Sequence, residues 1–98
     1  MAKKIQPVNI WVNGEVKVAE WLSMRSINDD LETSATFYYE LCENAKDEDQ
    51  NDVKGTSLTS SNLTMAGQDY EDWGNQSGVD INTWAYNWAA SKLNIVII

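Results

Sequence analysis

Residues 80–98 constrain the fold of this chain more than any other stretch, because a helix pattern runs there directly into a strand pattern. Ile81, Trp84, Ala85 and Trp88 recur at the i, i+3, i+4, i+7 spacing that gathers side chains on one helical face. Asp80 is placed to cap the N-terminus, and Lys92 suits the negative pole at the other end. Asn94 tolerates the left-handed conformation that closes a helix. Residues 95–98, Ile-Val-Ile-Ile, then read as a strand, and so apolar a run is expected to be buried, in its own sheet or in a neighbour's. A helix carrying two tryptophans on its inner face needs a sheet to lie on.

The sheet is legible upstream. Asn13-Gly14 is a strong hairpin signal, since both central positions of a type I′ turn require positive φ. A two-residue turn there sets Trp11 opposite Val16 and Asn9 opposite Val18. Val8, Ile10 and Val12 then fall on the other face, so either both faces are covered or a bulge re-aims one strand. Pro7 restricts its strand to an edge or places it near a strand start. Residues 33–43 form the clearest strand, with Ala35, Phe37, Tyr39 and Leu41 on one face and Thr36, Tyr38, Glu40 and Cys42 on the other. Residues 44–54 are rich in acids and nearly devoid of apolar side chains, which predicts an exposed, mobile loop. Residues 55–65 read as an extended segment anchored by Leu58, Leu63 and Met65, and 68–73 as a short helix closed by Gly74. The expected fold class is therefore α+β, one domain over residues 1–98. An antiparallel sheet of four to five strands has one face covered by the C-terminal helix, with a short helix near 68–73.

Composition narrows the function. The chain carries 15 acids against seven bases and no histidine. Residues 28–98 hold 13 of those acids and only three of the bases, so no phosphate-binding surface and no nucleic-acid partner is expected. Without histidine, Ser-His-Asp and Cys-His arrangements are excluded. Cys42 stands alone, with Glu40 and Glu43 close by in sequence to disfavour a thiolate. The acids at 29, 30 and 32 and at 69, 71 and 72 invite a paired-carboxylate reading, but nothing around them marks a cleft, and a solvated charge run explains them better. Asp47, Asp49 and Asn51 have the spacing that opens a calcium loop, yet Asp52 stands where that loop needs glycine and Leu58 where it needs glutamate. The expectation is no enzyme, no cofactor and no metal. No apolar run is long enough to span a bilayer, so no membrane association is expected either.

What remains is aromatic. Five Trp and four Tyr in 98 residues exceed what one small core readily hides. Trp84 and Trp88 are assigned to the helix–sheet core, whereas Trp11, Trp21, Tyr38 and Trp73 are candidate interface or ligand residues.

Three stretches carry a family likeness. The first is Val8-Asn9-Ile10-Trp11-Val12-Asn13-Gly14, and the second runs from Ile27-Asn28-Asp29-Asp30 to Phe37-Tyr38-Tyr39. The third runs from Leu63-Thr64-Met65 through Asp69-Tyr70-Glu71-Asp72-Trp73 to Trp84-Ala85-Tyr86-Asn87-Trp88-Ala89-Ala90-Ser91-Lys92-Leu93-Asn94. Together they resemble small acidic proteins encoded among the structural genes of tailed bacteriophages. The resemblance implies a non-catalytic virion component, part of a capsid, neck, tail or fibre, assembled in the host cytoplasm and contacting other virion proteins in multiple copies. It carries over no enzymatic residues. The alternative is a carbohydrate-binding module that stacks a glycan on surface Trp and Tyr.

Overall fold

A computed structural model describes residues 2–98. Four strands form one antiparallel sheet in simple meander order: β1 (Ala2–Val12), β2 (Glu15–Asp29), β3 (Ser34–Lys46) and β4 (Asp52–Ala66). Two helices follow, α1 (Gln68–Asn75) and α2 (Ile81–Leu93). The fold class is the expected α+β, and each strand reaches the next through a tight turn. At the first turn Asn13 and Gly14 both have positive φ, 50° and 83°. The ladder beyond it pairs Trp11 with Val16 and Asn9 with Val18, the register a two-residue turn dictates.

Bulges resolve the conflict between the two faces of the β1–β2 hairpin. Between Lys4 and Val8 the β1 register slips, so residues 5–7 lie opposite Glu20 alone. Pro7, which has no N–H to give a ladder, sits in that irregularity. Ile5 beside it is fully buried. Val8 and Ile10 pack partly against the core, while Trp11, Val16 and Val18 are left exposed. A second bulge, at Ile27, lies between the Ser26–Phe37 and Asn28–Thr36 pairs.

One face of the sheet carries the core. Leu22 and Met24 of β2 stand opposite Leu41 and Tyr39 of β3, and Ala35 and Phe37 stand opposite Met65 and Leu63 of β4. Helix α2 lies over this face. Asp80 caps it by accepting from the Asn82 and Thr83 backbone N–H groups, and Asn94 closes it in the left-handed conformation at φ 58°, both as expected. The buried stripe is Ala85, Tyr86, Trp88, Ala89 and Ala90. This differs from the expected face: Ile81 is exposed, Trp84 only half-buried, and Tyr86 takes an inward place. The alanines explain the rotation, because small side chains let the backbone approach the sheet and leave room for the Tyr86 and Trp88 rings beside them. Trp88 packs on Phe37 with ring centroids 5.9 Å apart.

Three boundaries need correction. The 44–54 stretch is not a loop: pairing continues to Lys46–Asp52, leaving only residues 47–51 as a turn. Asp47 organises that turn, its carboxylate accepting from the Asp49 and Asn51 backbone N–H groups. Helix α1 passes through Gly74 to Asn75 instead of closing at the glycine. Residues 95–98 do join the sheet, but only by a short bridge. Ile97 pairs with Ile5, the Gln6 N–H donates to the Val96 carbonyl, and the Ile98 N–H donates to the Lys4 carbonyl. Val96 and Ile98 remain exposed, so this segment is a half-covered fifth strand on the β1 edge, not a buried one. At the opposite edge, β4 pairs with β3 alone.

Candidate interaction surfaces

The four aromatic candidates do not converge on one site. Trp21 and Tyr38 share the face away from the helices, where each is held by a cation. The Lys4 ammonium lies 5.2 Å from the Trp21 ring and the Arg25 guanidinium 5.0 Å from the Tyr38 ring. The Trp21 indole N–H also donates to the Asn44 side-chain oxygen at 2.9 Å, and Lys4 donates to the same oxygen at 3.1 Å. This knot ties the two hairpins together through Asn44 and Asp52. It uses the side chains it contains and leaves Trp21 half-buried.

Trp73 lies on the helix side of the sheet. Its ring meets Phe37 edge-on at 5.6 Å and Tyr70 at 6.0 Å, and its indole N–H donates to the Ile81 carbonyl at 2.9 Å. Tyr70 and Trp73 thus share a face of α1, as their spacing predicts. Only Trp11 is open to solvent, at 72% exposure, and its strand partner Val16 is exposed too.

A groove of about 300 Å³ opens where β2 passes under the start of α2. Met24, Phe37, Trp73, Ile81, Ala85 and Tyr86 form its apolar lining, and Arg25, Ser26, Asp29 and Asn82 its polar one. Of these only Trp73 was a sequence candidate. Phe37 reads as a core position and Tyr86 lies off the expected inner face of α2, and no short-range pattern shows that β2 and α2 diverge here. A shallower depression beside the groove shares Asp29 and Trp73 and adds Leu31, Glu32, Tyr70 and Glu71. This end of the molecule is strongly acidic, with Arg25 the one base among the groove residues.

The acids here hold the fold together. Asp29 accepts from the Tyr70 hydroxyl at 2.6 Å, which pushes the phenol up to about 12. Asp30 accepts from the backbone N–H groups of Ser34, Thr33 and Glu32, led by Ser34, which holds its carboxyl far below the usual range. Asp69 accepts from the Trp88 indole N–H at 3.1 Å and pairs with Lys92. Asp72 accepts from the Gln68 amide at 2.8 Å. None is set up as an acid–base pair. No group of three or more metal-ligating side chains occurs among the described residues. Cys42 is buried, which raises its thiol pKa, and Glu40 raises it further.

The exposed large apolar side chains fall into three places. Trp11, Val16 and Val18 form one patch on the β1–β2 hairpin. Ile81 lines the groove and Leu31 the depression beside it, with Ile27 and Val79 close to them in sequence, and Val96 and Ile98 lie on the terminal bridge. No helix among the described residues is long and apolar enough to cross a membrane. Comparisons with protein-family models, with curated proteins and with solved structures find no match for this chain.

Proposed function

We propose that this protein is a non-catalytic structural subunit that works through protein–protein contacts, as a repeated component of a tailed-bacteriophage particle. The observation that carries the reading is the hairpin patch: a tryptophan 72% exposed, flanked by exposed Val16 and Val18 on a small acidic domain. Large apolar patches on soluble domains mark contact surfaces, and tryptophan is the commonest anchor of such contacts. The phage setting rests on the resemblance alone. A glycan-binding role is less well supported, because Trp21, Tyr38 and Trp73 are each engaged by a cation or another ring, which leaves Trp11 as the one open ring of the four.

Mass spectrometry of purified particles tests the proposal, coupled to sedimentation of the isolated protein. The expected result is a stoichiometric particle protein with more than one copy per symmetry axis. A monodisperse monomer absent from every particle fraction would remove the reading.

A further inference from the structure

We infer that Lys4 and Asn44 join in an amide bond between their side chains, formed by the protein itself with loss of ammonia. The inference concerns a single chain and does not depend on the reading of the protein as a particle subunit. Strand order sets up the meeting. Trp21 of β2 stands opposite Lys4 of β1 on one side and Cys42 of β3 on the other. Asn44 lies two residues beyond Cys42 and so shares its face. With β2 between them, β1 and β3 are about 10 Å apart, so a long side chain from one must cross to a short one from the other. Lys4 makes that crossing over the Trp21 ring, and its Nζ donates to Asn44 Oδ1 at 3.1 Å.

The groups around that contact are the parts of an acyl transfer. The Lys4 amine is the nucleophile, and the Asn44 Cγ, one bond from Oδ1, is the electrophile. The Trp21 indole N–H donates to Oδ1 at 2.9 Å, where negative charge gathers during attack. Asp52 touches both ends of the exchange: its Oδ2 is 3.5 Å from Lys4 Nζ, and its Oδ1 accepts from Asn44 Nδ2 at 3.2 Å. An ion pair needs only Lys4 and Asp52. The carboxamide set between them, its oxygen toward the donors and its nitrogen toward the acid, is what makes the geometry reactive. Asp52 takes a proton from the Lys4 ammonium, and the freed lone pair attacks Cγ from the face of the carboxamide while the carbonyl π pair moves to Oδ1. Asp52 then gives that proton to Nδ2 and takes a second one from the attacking nitrogen. The pair on Oδ1 returns, the Cγ–Nδ2 bond breaks, and ammonia leaves with the last proton from Asp52 as ammonium. Lys46 and then Asn44 lower the Asp52 carboxyl to about 2, which makes it a weak base, and Glu20, 3.8 Å from Nζ, competes for the ammonium. The reaction is therefore slow. It has to occur only once per molecule, however, and ammonia lost to solvent does not return.

Intact-mass and tandem mass spectrometry of the purified protein, aged at pH 8, tests the bond. The wild-type mass is expected to fall by one ammonia over time, with a branched peptide joining the Lys4 segment to the Asn44 segment. The aged protein should also unfold at higher urea than the fresh one, because the bond closes the chain between β1 and β3. Lys4→Arg keeps a cation over Trp21 but offers no neutral amine, so it should keep its full mass. Asp52→Asn, with far-UV circular dichroism to confirm folding, should form the bond at least about a hundredfold more slowly, the usual loss for a general acid–base group. A wild-type mass that never changes would overturn the inference. So would ammonia lost without a branched peptide, as from succinimide closure at Asn13-Gly14, or lost from Lys4→Arg as fast as from wild type. Asp52→Asn reacting at wild-type speed would overturn the route through Asp52. None of these results bears on whether the protein belongs to a particle.

Discussion

The hydroxyl of Tyr86 accepts a hydrogen bond from the backbone N–H of Met24 at 2.9 Å, joining residues 62 positions apart. Among the described residues the β1–β2 ladder extends no further than Ser23, so Met24 stands one residue past the end of its strand partner. The tyrosine takes the place of a strand there, and this fixes where α2 lies along β2. Burial raises the pKa of this phenol, as expected for a hydroxyl enclosed by helix and sheet.

Tyr86→Phe should therefore destabilise the fold by about 1–3 kcal/mol, the cost of leaving a shielded backbone donor without its acceptor. Urea unfolding at pH 7 measures it. The ring still fills its place, so the slope of free energy against urea should not change.

Gly55 makes the second prediction. It lies in β4 where Gly55 and Thr56 together face Glu43, between the Cys42–Ser57 and Asn44–Lys54 pairs. A Cβ at position 55 would stand 2.9 Å from the Glu43 carbonyl oxygen and 3.2 Å from the Ala45 Cβ. Backbone cannot yield as a flexible side chain does, so Gly55→Ala should cost about 1–3 kcal/mol by overpacking. A lowered melting temperature with an unchanged circular dichroism spectrum is the expected readout.

Gly55 also shows what the sequence concealed. It stands where the acid-rich run 44–54, which reads as a loop, meets the 55–65 segment, which reads as extended, yet β4 begins three residues before it. The β3–β4 hairpin carries few apolar side chains toward its tip and is set by backbone pairing and by the Asp47 turn, neither of which leaves a hydrophobic period. Where the pattern is local and strong, sequence and structure agree. Asn13-Gly14 set the first register, Asp80 and Asn94 the ends of α2, and Ala35, Phe37, Tyr39 and Leu41 the core face of β3. The groove was not legible, because it arises from the crossing of β2 by α2, and its residues come from four separate elements. The conflict between the two faces of the β1–β2 hairpin foreshadows the irregularity at residues 5–7, whereas those at 27, 55–56 and 58 leave no mark in the sequence pattern.

Acid should weaken the protein in a defined window. The carboxyls of Asp30, Asp47 and Asp80 are held below their ordinary range, chiefly by donors from Ser34, Asn51 and Thr83 respectively, and Asp52 is lowered to about 2 by Lys46 and then Asn44. A carboxyl whose folded pKa is depressed stabilises the fold fully above its unfolded value and loses that contribution as pH falls through the folded value. The melting temperature should therefore be flat above about pH 5 and fall from about pH 4 toward pH 2. Asp30→Asn should lower the plateau and shallow the acid slope, as a pH series of thermal melts would show.

Alkali acts through Tyr70. Its phenol donates to Asp29 and is raised to about 12, so the contribution to stability is complete below about pH 10 and disappears as pH rises through the folded value. Tyr70→Phe should be less stable than wild type at pH 8, and the gap between them should narrow between about pH 10 and about pH 12. A gap independent of pH would show that the Tyr70–Asp29 bond is not what joins α1 to the β2–β3 turn.

Cys42 offers a probe of how the sheet opens. The thiol is 1% exposed, and its pKa is raised by burial and then by Glu40, so both access and ionisation oppose its reaction. It sits in β3 opposite Trp21, in the middle of the sheet, where strand pairs on both sides must separate before a reagent reaches the sulfur. Labelling by an aromatic disulfide at pH 8 should therefore follow global unfolding and not local fraying. Leu22→Ala tests this, because Leu22 is fully buried on the other face and its truncation should cost about 2–5 kcal/mol. If Cys42 reacts only from the unfolded chain, the same substitution should speed labelling by about 30-fold to several-thousand-fold, matching the loss of stability measured in urea. A labelling rate that ignores Leu22→Ala would mean that the β2–β3 pairing parts on its own, with the core beneath α2 still closed.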